Sequence, residues 1–194
     1  MKHFSELSPT AERVVDAAEG LIQQHGYNGF SYDSVAQLVG IKKPSIHHHF
    51  ATKAELVAVV AQRYTHRFRE QLLAIDGRFA KAPDKLAAYV ELFARTYAED
   101  RRLCVCGMLG AEGGDLPKEA AREVANFFTV NLAWLCEVMA VGQQAGLLRA
   151  SSEPQAQANL FLSSLEGSMV VGRGARRDGG PAAAGATLIS HLLA

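Results

Sequence analysis

The sequence predicts an all-α fold of about nine helices. Apolar residues recur at helical spacing in one segment after another, and residues typical of helix starts and ends bracket those segments. No segment shows the alternating pattern of a strand. The chain has 194 residues, of which 48% are hydrophobic and 21% are charged. This length and composition suit a globular protein with a buried core, and they exclude a disordered chain or a disulfide scaffold.

Two helices are predicted within the first forty residues. The first covers residues 10–25 and has Ser8 or Thr10 as its N-cap. Ser31 is the N-cap of a short second helix, which ends at Gly40. A serine suits this position because its hydroxyl oxygen accepts a hydrogen bond from a backbone amide that has no partner in the first turn.

A very short third helix is predicted next. Pro44 suits the first position of a helix, and the preceding Lys43 is expected at the cap because a residue before proline avoids helical geometry. Ile46 and Phe50, four residues apart, face inward. Thr52 then caps a long fourth helix that weakens at residues 76–77. The five further helices are predicted after Pro83, over 104–112, from Pro117 to Gly146, from Pro154 to about 172, and over 182–193.

The charges are unevenly distributed although the chain as a whole is neutral. Residues 40–70 carry six lysines and arginines against two glutamates, together with four of the seven histidines. The basic stretch covers the short third helix. Lys42 and Lys43 stand at the start of this helix, where the helix dipole disfavours cations and free N–H groups point outward. A DNA phosphate would accept hydrogen bonds from these N–H groups and attract the lysines. The second and third helices, joined by a glycine-containing turn, also match a helix-turn-helix.

These N-terminal residues resemble the tetracycline-repressor (TetR) family of bacterial regulators. The resemblance covers roughly residues 10–60 and rests on Phe30-Ser31, Val35-Ala36, Val39-Gly40-Ile41, Pro44-Ser45-Ile46, His49-Phe50 and Thr52-Lys53-Ala54-Glu55-Leu56. It implies a helix-turn-helix DNA-binding domain over residues 1–52 and an effector-binding and dimerisation domain over 53–194. The residues that it places on double-stranded operator DNA are Ser31, Lys42, Lys43, Pro44, Ser45, His47, His48 and Lys53. Lys42, Pro44 and His47 depart from residues that are frequent in the family.

The C-terminal region is much larger than a helix-turn-helix needs, and it is rich in aromatic residues. A mostly apolar cavity with a few polar groups is the usual form of a small-molecule site, and the resemblance implies an effector held between the fourth and eighth helices. We therefore expect a mostly apolar, unidentified effector. Its expected contacts are Phe68, Phe93, Tyr97, Cys104, Met108, Phe127, Asn131 and Trp134.

A homodimer is expected to form through the eighth and ninth helices. Small residues on these helices allow close approach, and apolar residues beside them supply contact area. The expected interface residues are Ser164, Leu165, Ser168, Met169, Leu188 and Leu192. A two-fold dimer would read a near-palindromic operator.

The predicted function is a ligand-responsive transcriptional repressor. One alternative on the same scaffold is a sensor of electrophiles or oxidants that uses Cys104 and Cys106, which follow two arginines near a helix start. A second alternative, from a different class, is a helical carrier or enzyme that uses the cavity alone. The common catalytic and nucleotide-binding motifs are missing from the sequence, so we expect no enzyme activity and no cofactor. Three adjacent histidines, 47–49, diverge around a helix, so no metal site is expected. No apolar run of 18 residues occurs and no signal peptide is expected, so the predicted location is the cytoplasm, away from membranes.

Overall fold

The computed structural model describes residues 3–114 and 116–194. Within them it contains a short 3-10 helix (Phe4–Glu6) and nine α-helices, so the all-α prediction is confirmed. The helices are α1 (Pro9–His25), α2 (Tyr32–Val39), α3 (Lys43–His49), α4 (Lys53–Arg78), α5 (Ala82–Ala98), α6 (Val105–Ala111), α7 (Lys118–Gln144), α8 (Pro154–Gly174) and α9 (Gly180–Leu192). Among the described residues, β-pairing is confined to an isolated bridge between Leu148 and Leu193.

The observed helices begin and end within a few residues of the predicted boundaries, and two of the differences lie at a proline and at a glycine. α3 begins at Lys43, so Lys42 rather than Lys43 is its N-cap. Proline is tolerated throughout the first turn, because the amide that it lacks has no helical partner there. α4 continues through Asp76 and Gly77 to Arg78, since one glycine costs a helix only about 1 kcal/mol.

The chain divides into two compact units, and α4 and α7 each belong partly to both. Unit 1 comprises the described residues of 1–67 and 104–128, and unit 2 comprises 68–103 and 129–194. The core of unit 1 includes the inward faces of α1 and α3 and the first two turns of α4, where Leu56 and the five residues after it are fully buried. Ile46 and Phe50 are also fully buried, which confirms that they face inward.

Polar contacts also hold unit 1 together. Arg63 of α4 lies 2.7 Å from Asp16 and 3.1 Å from Glu19 of α1. The carboxylate of Glu112, which follows α6, accepts hydrogen bonds from the backbone amides of Tyr27 and Asn28, just beyond the end of α1. These amides follow a helix end and gain a charged acceptor, which is a strong form of hydrogen bond.

Unit 2 is built around α5, α8 and α9. Gly185 of α9 allows a close approach to α5, since a Cβ at this position would lie 2.4 Å from both methyl groups of Val90. The hydroxyl of Tyr97 donates to the carbonyl oxygen of Arg177 over 2.6 Å, which ties the end of α5 to the segment between α8 and α9. Gly185 therefore serves helix packing inside one protomer, whereas Ala182, Ala183 and Ala186 of α9 are exposed.

One helix of the described residues, α7, is long and apolar enough to cross a membrane by length and composition. Core helices of globular proteins pass the same test. Phe127, Leu135 and Met139 of this helix are fully buried, and 33% of its most apolar 18-residue window is buried in all.

Candidate functional site

The exposed face of α3 is the candidate nucleic-acid interface. Tyr32, Ile46 and Phe50 are buried beneath it, and the Tyr32 hydroxyl donates to the Phe50 carbonyl oxygen over 2.9 Å. Burial, together with the negative charge of Glu55, raises the pKa of the Tyr32 hydroxyl, so it stays a neutral donor. Because this bond joins the first residue of α2 to the residue after α3, it fixes one short helix against the other. The outward side chains of α3 and its cap are Lys42, Lys43, Pro44, His47 and His48, with Ser45 half-buried.

Lys43 is paired with an acid of α2 on this face. Its Nζ lies 2.8 Å from the Asp33 carboxylate in the first turn of α2, with both side chains exposed. Ser31, the N-cap of α2, accepts from the Ser34 amide over 3.3 Å, and Ser34 bonds back to the Ser31 amide. This reciprocal cap exposes the start of α2 close to Lys43, as a phosphate contact requires.

The side chain of Lys53 has another position than we expected. Its Nζ donates to the carbonyl oxygen of Phe30 over 2.5 Å and lies 4.6 Å and 4.3 Å from the ring centres of Tyr27 and Phe30. Burial lowers the pKa of the Lys53 ammonium, and the nearby Glu112 carboxylate acts in the opposite direction. Lys53 is half-buried, and its ammonium stabilises unit 1 through these contacts. A phosphate contact of this side chain stays a prediction.

The residues expected to hold an effector divide between the two units. Cys104, Met108 and Phe127 belong to unit 1, and Phe68, Phe93, Tyr97, Asn131 and Trp134 belong to unit 2. In unit 2 the residue that connects them is Tyr89, which the sequence analysis did not select. The centre of its ring lies 6.1 Å from the ring centre of Phe68, 5.3 Å from that of Phe93 and 5.4 Å from that of Trp134. Its hydroxyl donates a hydrogen bond to Asn131 Oδ1 over 2.8 Å. Helical spacing could have found Tyr89, since it lies three residues after Leu86 and four before Phe93.

The interior of this aromatic cluster is closed, and a cavity lies beside one of its members. Phe68, Tyr89 and Phe93 are at most 5% exposed. A cavity of about 120 Å³ opens next to Trp134 instead, at the end of α4 and the start of α5. Its lining residues are Asp76, Ala80, Ala82, Lys85, Trp134, Glu137, Val138 and Val141.

The helix-turn-helix segment and the whole chain are both similar to known regulators. Residues 14–60 match the family model described as bacterial regulatory proteins, tetR family. The transcriptional regulator AcuR of Cereibacter sphaeroides is 26% identical over 157 residues, which are 77% of this chain and 69% of that protein. A TetR-family regulator from Agrobacterium tumefaciens is 28% identical, with a TM-score of 0.91 over 95% of this chain and 98% of its own. A TetR regulator from Legionella pneumophila is 25% identical, with a TM-score of 0.86 over 96% of this chain and 99% of its own.

The chain carries the TetR-family helix-turn-helix at residues 14–60, and it shares its fold with TetR-family regulators along nearly its whole length. It is a transcriptional regulator whose helix-turn-helix lies in α2 and α3. Regulators of this family bind operator DNA, dimerise and bind small-molecule effectors, and the family is one of regulators rather than enzymes.

Two of the residues expected at a TetR dimer interface lie inside the protomer. Leu165 and Met169 of α8 are fully buried within the single chain, so they are not available on its surface. Sequence spacing does not separate the faces of α8, because this helix is apolar on more than one of them. The face that carries Leu165 and Met169 packs against the protomer's own helices. Ser164, Ser168, Leu188 and Leu192 are half-buried. The large apolar side chains that α8 does expose are Leu160, Val170 and Val171.

The two cysteines that could make this chain a redox sensor are in the core. Cys104 and Cys106 are at most 1% exposed, whereas Cys136 is half-buried. Cys104 is the N-cap of α6, and its sulfur accepts from the Gly107 amide over 3.5 Å. Burial blocks the access of reagents to a thiol, so this arrangement favours a packing role for the two cysteines over a redox role.

Alkylation should follow this burial. We expect iodoacetamide to modify Cys136 of the native protein before Cys104 and Cys106, as read by mass spectrometry of tryptic peptides over time. The same reaction in urea serves as the control, and there all three thiols should react alike. Modification of Cys104 or Cys106 as early as Cys136 in the native protein would restore the cysteine-sensor hypothesis.

Proposed function

We propose that the chain is a homodimeric repressor that leaves a near-palindromic operator when a small molecule binds. The observation that carries this proposal is the exposed basic face of α3, which buried Ile46 and Phe50 hold in place. A helix of seven residues is too short to be stable alone, so its function lies in presenting its outward side chains. We assign DNA binding to residues 1–52, and effector binding and dimerisation to 53–194.

Lys42 and Lys43 supply charge to the phosphates, and His47 and His48 face the base edges of the major groove. Phosphate contacts set the position of a protein on DNA, and contacts to base edges supply sequence preference. Ser31 adds the N-terminus of α2 as a further phosphate contact. Because the target of such a surface is chromosomal, the proposed location is the cytoplasm.

Dimerisation through α8 and α9 supplies the second recognition helix. We assign the apolar part of this interface to Leu160, Val170 and Val171, which α8 exposes, with Leu188 and Leu192 of α9 at its edge. An interface related by a two-fold axis places two copies of α3 one helical turn of DNA apart, which requires two inverted half-sites.

Effector binding changes the population of two dimer forms. One form holds the two α3 helices at the spacing of successive major grooves, and the effector stabilises the other form. α4 is the proposed link, because this unbroken helix begins in unit 1 and ends in unit 2.

Selection of bound DNA from a random library tests the proposal. We expect enrichment of an inverted repeat, and a footprint of the full-length protein over the same sequence if it occurs beside the protein's own coding region. A variant with both Lys42 and Lys43 replaced by alanine should enrich the same repeat more weakly, because it loses phosphate contacts and keeps the residues assigned to the bases. If the native protein enriches no sequence, the carrier or enzyme alternative replaces this proposal.

Lys43 should act mainly through phosphate. Lys43→Ala is expected to weaken operator and unrelated DNA alike, and to lower the slope of log affinity against log salt by about one. Loss of Lys43 also leaves Asp33 unneutralised near the DNA, which adds repulsion. Fluorescence anisotropy at four salt concentrations measures the slope, with Lys81→Ala, an exposed lysine of unit 2, as the matched control. A changed base preference at one operator position would show that Lys43 reads a base.

A further inference from the structure

The cavity beside Trp134 has walls that are fixed before any ligand arrives. The indole N–H of Trp134 donates to Asp76 Oδ2 over 2.9 Å. The ring of Tyr89 stacks on the indole at 5.4 Å with only 21° between their planes. A hydrogen bond and a stacking contact together set the position and orientation of the indole, so a ligand would meet a preorganised aromatic wall.

The charges at this cavity leave one carboxylate uncompensated. Lys85 Nζ lies 2.6 Å from Asp76 Oδ1, which neutralises that pair. Glu137 also lines the cavity, and no cationic side chain of residues 3–114 and 116–194 pairs with it. Two acids against one lysine leave a net charge of −1. The end of α4 and the start of α5 both border the cavity, and their opposite dipole ends offset each other, so the side chains determine the sign.

The rest of the lining is apolar and small. Ala80, Ala82, Val138 and Val141 supply aliphatic surface around the charged groups. A cavity of about 120 Å³ admits a short aliphatic body but not a large polycyclic ligand. An aromatic wall beside a carboxylate is a favourable environment for an ammonium group, since the π face and the negative charge both attract it.

We propose that this cavity binds a small organic ammonium ion, with its charged group at Glu137 and the face of Trp134 and its alkyl part against Val138 and Val141. The proposal rests on the proposed function in one respect, that the bound ion acts as the effector. An anion of the same size would face the unneutralised Glu137 and would have to displace Asp76 from Lys85.

Intrinsic fluorescence measures occupancy directly, because Trp134 is the one tryptophan of the chain. We expect n-butylammonium to change the emission of the full-length protein saturably, and n-butanol and butyrate at the same concentration to leave it unchanged. Glu137→Gln should weaken n-butylammonium binding by about two- to fivefold, as expected for an exposed ion pair. The matched control is Glu91→Gln, an exposed acid of unit 2 outside this cavity, which should bind like the native protein.

A second variant should change the affinity for n-butylammonium in the opposite direction. Lys85→Met makes the cavity more negative by releasing Asp76, so n-butylammonium should bind more tightly than in the native protein. Weaker binding in this variant, with helix content unchanged by circular dichroism, would overturn the proposal, as would equal binding by Glu137→Gln and the native protein.

Operator release is measured separately by anisotropy of labelled operator with and without n-butylammonium. Release by the native protein, with a concentration dependence shifted in Glu137→Gln, supports the effector role. Saturable fluorescence binding without release overturns that role and leaves DNA binding intact. Failure to bind DNA without any ligand would instead contradict the proposed function.

Discussion

Replacing Phe50 by alanine should abolish operator binding and destabilise unit 1 by about 3–5 kcal/mol, the usual cost of removing a fully buried phenylalanine side chain. The backbone of Phe50, which the substitution retains, links both short helices. The Phe50 amide donates to the Ile46 carbonyl oxygen over 2.8 Å, and the Phe50 carbonyl oxygen accepts from Tyr32. A cavity at this residue therefore loosens the end of α3 and its link to α2 together.

Operator anisotropy and hydrogen exchange of the α3 amides measure the two effects of Phe50→Ala. The control is Leu38→Ala, since Leu38 lies on α2 with 64% of its surface exposed and should change stability by less than about 0.5 kcal/mol. Native operator affinity in Phe50→Ala would show that α3 keeps its position without this side chain, and it would contradict the proposed DNA interface.

The helix-turn-helix could be predicted from the sequence because its signals are local. Ser31 and Gly40 bracket α2, and Ile46 and Phe50 are one helical turn apart. These features depend on residues within one turn of each other. The family comparisons and the structure agree with that part of the prediction.

The role of Lys53 could not be predicted in the same way. Its position at the start of α4 suggested a phosphate contact, yet its ammonium bonds to Phe30, 23 residues earlier in the chain. The position of a lysine in the sequence does not show whether its side chain turns inward. Only the packed structure brings the carbonyl oxygen, two aromatic rings and the Glu112 carboxylate around one ammonium.

The candidate effector residues show a similar limit. Aromatic content and helical spacing identified Phe68, Phe93 and Trp134. In unit 2 Phe68 contacts Phe93, and Trp134 is joined to them through Tyr89. Spacing cannot show whether such a cluster encloses a cavity or packs shut. Helical spacing also did not identify Asp76, Lys85 and Glu137. These residues lie on three different helices and come together only when the helices pack.

Removing the Tyr89 side chain should have the largest effect on unit 2. Tyr89 is fully buried, and its ring contacts those of Phe68, Phe93 and Trp134. Tyr89→Ala is therefore expected to destabilise this unit by about 3–5 kcal/mol. It also removes the hydroxyl that donates to the buried amide oxygen of Asn131.

Tyr89→Phe separates the ring from the hydroxyl and is the matched comparison. It keeps the stacking on Trp134 and removes the 2.8 Å bond to Asn131, so it should cost about 1–3 kcal/mol, because a buried acceptor loses a donor. Urea unfolding followed by Trp134 fluorescence measures both variants in the unit that contains them. Native emission should persist in Tyr89→Phe and change in Tyr89→Ala, where the indole loses its stacking partner. Equal stabilities of Tyr89→Ala and Tyr89→Phe would mean that the ring contributes nothing beyond its hydroxyl, and the aromatic cluster would not be the core of unit 2.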